Sequence, residues 1–191
     1  MQRLRQSVHE ISSQRNFVRF AIASFIFYWG LYLPAALWSV LRVRELGASD
    51  SWVGFLVMCI DASTIVGYFL WGKIQARWRD RKLLVVAAVG TAVYAALTAL
   101  APSLAWLIPV SILGGLSWAG CNLALFNRML DVCPADHRPT YVALYTSLIN
   151  VTAFIGPLLG AGLANWVGLR STFILSGGVR LIGALLFLVL A

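Results

Sequence analysis

Six apolar runs, each about as long as a helix needs to cross a bilayer, limit what this chain can become. They cover residues 17–41, 51–71, 83–101, 104–127, 140–166 and 171–191. In hydrocarbon every backbone N–H and C=O must find a partner within the protein, so only helices and closed barrels span. Barrel strands alternate polar and apolar residues over roughly 10 positions, and these runs do not alternate. The composition agrees: of 191 residues 60% are hydrophobic and 12% charged, where soluble domains carry about 25% charged residues. The expected fold is all-α and integral to the membrane, with residues 17–191 forming a six-helix transmembrane bundle and Pro34 kinking its first span. Lipid is the first partner this implies.

The short connections between spans carry most of the charge. Pro102 and Ser103 suit a tight turn, and residues 128–139 read as a polar loop. Eleven of the 15 basic residues lie before span one, between spans two and three, or between spans four and five. Three, Arg42, Arg44 and Arg170, lie on the other side, where Glu45 and Asp50 stand close by. Basic loops favour the cytoplasm, so both termini are expected there and a plasma (inner) membrane location follows. The net charge of +8 is then a matter of topology and implies no nucleic acid. Residues 1–16 form a polar N-terminal segment, also expected in the cytoplasm. Leu4, Val8 and Ile11 would give it one apolar face, so it reads either as a surface helix or as a solvated linker.

Residues 72–84 read Gly-Lys-Ile-Gln-Ala-Arg-Trp-Arg-Asp-Arg-Lys-Leu-Leu. This resembles the signature loop of the major facilitator superfamily, at the place where that family carries it, between a second and a third helix. Gly72, Ile74, Arg77, Arg81 and Lys82 fit the pattern. Ala76 stands where the family has an acidic residue, Arg79 where it has Gly, and Asp80 where it has Arg, so the acidic role is lost or moved to Asp80. Residues 163–170 echo the loop on the opposite face, and Gly156, Pro157, Gly160 and Gly162 precede them. An inverted three-plus-three repeat, from which each half of these transporters is built, produces such an echo.

The resemblance implies that this chain is one half of a secondary transporter. The basic polar start and the end on span six resemble the C-terminal half. A second six-helix bundle, a missing N-terminal half or a second copy, would then be a partner. The function implied is alternating-access transport of a small molecule, alone or together with protons. A non-transporting six-helix scaffold or assembly subunit is the alternative reading. In the family, helices one, two, four and five of each half line the cavity, while three and six support them.

That arrangement selects the polar residues to weigh. Asp61 is the one acidic residue deep in a span, where a carboxylate costs roughly 2.5–3.5 kcal/mol. It could couple protons, bind a cationic substrate, or tie two helices together. Asn122 and Asn150 could hydrogen-bond substrate or join helices. Tyr28 and Tyr32, one turn apart, could form an aromatic wall, and Trp118 shares a helix face with Asn122. Arg180, the one basic residue in mid-span, reads as structural: span six is peripheral and its long stem can snorkel. Gly156, Pro157 and Gly160 read as packing or hinge residues, as does the stripe of Ser111, Gly115 and Ala119. Cys59, Cys121 and Cys133 suggest no disulfide, and no spacing suits a metal. His9 and His137 lie in polar segments. No phosphate loop or nucleophile elbow is present, so no cofactor and no enzymatic activity are expected.

Overall fold

A computed structural model describes residues 14–78 and 80–190. The expectations for the segment before Gln14 and for Arg79 fall outside the described residues. Six apolar helical segments long enough to span are present: α1 Arg15–Glu45, α2 Asp50–Gln75, α3 Asp80–Ala99, α4 Leu107–Val132, α5 Arg138–Val167 and α6 Leu169–Leu190.

Local chemistry explains where each begins and ends. α1 is regular over Arg15–Tyr32, breaks into turns around Pro34, resumes at Leu37–Val40 and closes with a π turn at Leu41–Glu45. Proline has no N–H to continue the ladder, so the expected kink becomes a full interruption. Gly47, at φ 66, turns the chain, and Ser49 caps α2 by accepting from the Trp52 N–H at 3.4 Å. Gly168, at φ 89, separates α5 from α6 with a single residue between them.

Two boundaries differ from the sequence expectation. The loop expected over residues 128–139 is shorter, because α4 runs on to Val132 before a 3-10 turn at Ala135–His137. Leu125, Met129 and Cys133 continue the buried face of α4, and Pro134 then blocks further extension. At its other end α4 starts at Leu107 and not at residue 104, because Leu104, Ala105 and Trp106 complete the turn opened by Pro102.

The principal helix pairs are α1 with α5 and α6, α2 with α4, and α3 with α4 and α6. α1 and α4 stand at the front centre, touching each other only lightly, with α5 and α2 flanking them and α3 and α6 behind. Towards the N-terminal face the core is aromatic: Phe20 stacks on Tyr145 at 5.5 Å and Phe17 meets Tyr141 edge-on at 4.8 Å.

Small residues set the helix spacing. A Cβ on Gly156 would lie 2.9 Å from Tyr32 Cβ, and one on Gly160 would collide with the Leu33 carbonyl oxygen. α5 therefore closes on α1 where α1 is broken. Gly115, with buried Ser111 and Ala119, does the same for α4 against Ser63 and Ile60 of α2. Gly162, two residues beyond Gly160, faces open space. Gly160→Ala is expected to cost roughly 1–3 kcal/mol by overpacking, while Gly162→Ala stays within about 0.5 kcal/mol of the parent. Thermal unfolding of both variants in detergent checks this, and equal melting would refute the close α1–α5 contact.

Candidate functional site

A cavity of about 380 Å³ opens at the front of the bundle between α1 and α4, with α3 and α6 as its floor. Tyr32, Trp38 and Arg42 of α1, Tyr94 of α3, Trp118 of α4 and Arg180 of α6 line it. Its aromatic wall is ordered: Trp38 stacks on Tyr94 at 4.8 Å with 14° between the rings, and Tyr28 stacks on Tyr32 at 5.8 Å. The volume lies within the range of small-molecule pockets, about 300–1,000 Å³.

Arg180 stands midway along α6 and is 1% exposed. Its Nε donates to the Gly30 carbonyl at 3.2 Å and its Nη1 to the Thr91 carbonyl at 2.8 Å. The guanidinium thus binds α6 to α1 and α3. Gly30 makes this possible, because a Cβ there would sit 2.8 Å from Arg180 Cγ. Ser176 Oγ adds a hydrogen bond to the same Gly30 carbonyl at 2.7 Å. The expectation of a peripheral, snorkelling Arg180 is therefore corrected. The side chain turns inward, and helices α3 and α6 supply cavity residues as well as support.

The residues singled out from the sequence separate into groups. Tyr32 and Trp118 line the cavity, and Tyr28 lies beside Tyr145 of α5 behind them. Asn122 is half-buried one turn along α4 from Trp118 and outside the lining. Asp61 and Asn150 are exposed on α2 and α5, on faces that this bundle leaves uncovered. Arg42 and Tyr94 were not expected in a site. Arg42 had the place of a loop charge, but the π turn keeps the chain helical there and only 7% of it is exposed.

At the N-terminal face, Arg77, Asp80, Arg81 and Lys82 of the signature loop border a wide basin of about 1060 Å³ together with Arg128. Gly72 lies outside it, its Cα facing open space. Asp80 accepts from Gln75 Nε2 at 2.9 Å, linking the two ends of the loop. Arg81 Nε donates to the Phe187 carbonyl at 3.3 Å, near the end of α6. On the opposite face Arg170, second residue of α6, donates through Nη1 to the Ala99 carbonyl at 3.2 Å, at the end of α3. Its Nε also pairs with Glu45 at 2.9 Å. Arg170 thus meets the last carbonyl of α3, which lacks a partner within its own helix and carries negative partial charge, and Arg81 meets a carbonyl in the last described turn of α6.

The profile of the major facilitator superfamily matches residues 20–191. The chain belongs to the major facilitator superfamily. It is similar to the staphyloferrin B transporter of Staphylococcus aureus (strain NCTC 8325 / PS 47), 24% identical over 185 residues, which covers 95% of this chain and 44% of that protein. It is similar to the MFS-type transporter dmxR4 of Cryptosporiopsis sp. (strain 8999), 30% identical over 122 residues, covering 62% of this chain and 22% of the relative. It also resembles the efflux pump aflT of Aspergillus parasiticus, 26% identical over 139 residues, covering 71% and 27%. The chain spans less than half the length of these superfamily relatives.

Beyond the spans, Cys133 follows the end of α4 and is buried against the aromatic core. Burial pushes its thiol above the ordinary value, with the Arg138 charge pulling the other way. Only the thiolate alkylates. A variant keeping Cys133 alone is expected to react with iodoacetamide more slowly than free cysteine at pH 7, and its rate should rise as pH passes the usual thiol value. A rate matching free cysteine at pH 7 would show this end of the bundle to be open.

Proposed function

We propose that this chain is the C-terminal one of two six-helix bundles that move a small molecule across the membrane by alternating access. The observation that carries the reading is the uneven burial of the spans. Only 17% of the apolar window of α2 and 22% of that of α5 is buried, against 56% for α4. These two helices flank the cavity, and each exposes polar groups in mid-span, Asp61 on α2 and Ser147 and Asn150 on α5. Such groups are costly against lipid. A second bundle seated on these faces would cover them and close the front of the cavity, giving a site at the bundle interface.

Two patterns support an inverted three-plus-three build. Packing of α2 on α4 has its counterpart in α5 on α1, and α3 on α4 in α6 on α1. The Arg81 and Arg170 contacts are the second pair. The basic loops support a cytoplasmic position for both termini, and the name of the staphyloferrin B transporter favours an organic cargo. Tyr28, Tyr32, Trp118 and Asn122 stand at or behind the front of α1 and α4 as substrate-side residues. Gly72, Arg77, Asp80, Arg81 and Lys82 act as the gating loop, and Gly156, Pro157 and Gly160 as the seam against which α1 bends.

Asp61 is the proton-coupling candidate, since no ion pair or hydrogen bond engages it among the described residues. In proteoliposomes holding the protein at its natural length, Asp61→Asn should abolish uptake driven by an imposed pH gradient while leaving cargo exchange at equal pH intact. Unchanged gradient-driven uptake would remove the coupling role. Full uptake by the triple variant Asp61→Leu, Asn122→Leu, Asn150→Leu would remove the polar residues from transport altogether.

A further inference from the structure

Among the described residues, the lining of the cavity between α1 and α4 includes two arginines and no acidic side chain. Arg180 closes its inner end at mid-span, and Arg42 stands nearer the face where α1 ends. Both lie close enough to the Tyr94 hydroxyl to act on it electrostatically, so their charges bear on one region. The Arg42 guanidinium hydrogen-bonds the Tyr94 hydroxyl, a neutral partner, and its Nε is buried without a hydrogen-bond partner. Arg180 has carbonyls for Nε and Nη1, which leave its charge uncompensated.

The acidic residues of the described chain are all engaged or placed elsewhere. Glu45 pairs with Arg170. Asp80 belongs to the basin at the other face. Asp50, Asp61, Asp131 and Asp136 are exposed and outside the lining. A guanidinium in hydrocarbon is costly unless an anion meets it. Its planar fork fits a carboxylate through two parallel N–H···O bonds. Low-dielectric walls around like charges concentrate the field on whatever enters. Trp38, Tyr94, Tyr32 and Trp118 supply the flat apolar surface on which a ring would lie.

We propose that the α1–α4 cavity binds a flat organic acid, with its carboxylate on the Arg180 guanidinium, a second acidic group or the same one drawn in by Arg42, and its apolar body between Trp38 and Trp118. This rests on the transporter reading for the cavity being the cargo site.

Equilibrium binding to the natural-length protein in nanodiscs tests the ligand class separately from transport. The probes are tritiated naphthoate, with unlabelled naphthamide and naphthylmethylammonium as neutral and cationic competitors of the same shape. Naphthoate should bind, and the two competitors should displace it roughly 10- to 100-fold less well than unlabelled naphthoate does. Arg180→Gln should reduce that preference to about one, because a purely structural loss would weaken acid and amide alike. Arg42→Gln, which removes no contact between helix backbones, should lower the preference in part and keeps the test open if Arg180→Gln fails to fold. Equal displacement by the three probes would overturn the proposal, as would an unchanged preference in folded Arg42→Gln and Arg180→Gln. An acidic side chain from the second bundle occupying the cavity would appear as the first of these results. Acid-selective binding without flux would overturn the alternating-access reading and leave the ligand class standing. Flux of a neutral cargo with no naphthoate binding would do the reverse.

Discussion

Helices in hydrocarbon gain nothing from hiding apolar surface from one another, so this bundle depends on close backbone approach at small residues. Gly160 against the Leu33 carbonyl, Gly115 against Ile60 and Gly30 against Arg180 are the contacts that set its spacing. The Gly30 contact reaches furthest. Because α1 has no side chain there, α6 can come near enough for Arg180 to find carbonyls on two other helices. A charge that would be expensive on the outside of α6 becomes an internal tie, and the same tie forms the inner wall of the cavity.

Burial in this molecule does not follow hydropathy. α2 and α5 are about as apolar as α3 and less apolar than α6, yet most of their surface is uncovered. Their exposed faces mix Met58, Ile65 and Phe154 with Asp61 and Asn150. Lipid accepts the first kind of residue and not the second. One six-helix bundle therefore leaves polar faces flanking a half-open cavity, and these are the faces that the proposed second bundle would cover.

The spans were legible in the sequence because their existence depends only on the length of apolar runs, which the loops interrupt cleanly. The signature loop was legible because its charges lie where no span can hold them. Helix facing was far less so. A helix that is apolar all round gives no periodic cue, so nothing in the α6 sequence alone shows that Arg180 turns inward. The cue was on α1, in the missing side chain of Gly30, 150 residues away. Arg42 was hidden for another reason: its neighbours Arg44 and Glu45 made it look like part of a loop, whereas the π turn carries the helix through. Tyr32 and Trp118 were singled out because the fold resemblance implied that helices one, two, four and five line the cavity. Tyr94 was missed because α3 was expected only to support.

The reciprocal arginines at the ends of α3 and α6 have a mechanical consequence. Arg81 fastens the start of α3 to the end of α6, and Arg170 fastens the start of α6 to the end of α3. Two antiparallel rods pinned at both ends resist sliding, since a shift along the axis strains both pins together. The rear of the bundle then behaves as a stiff beam. Deformation during a transport cycle would be concentrated in the front, where α1 is already interrupted beside Pro34 and closes with a π turn, so the flexible joint and the cavity wall are the same stretch of chain.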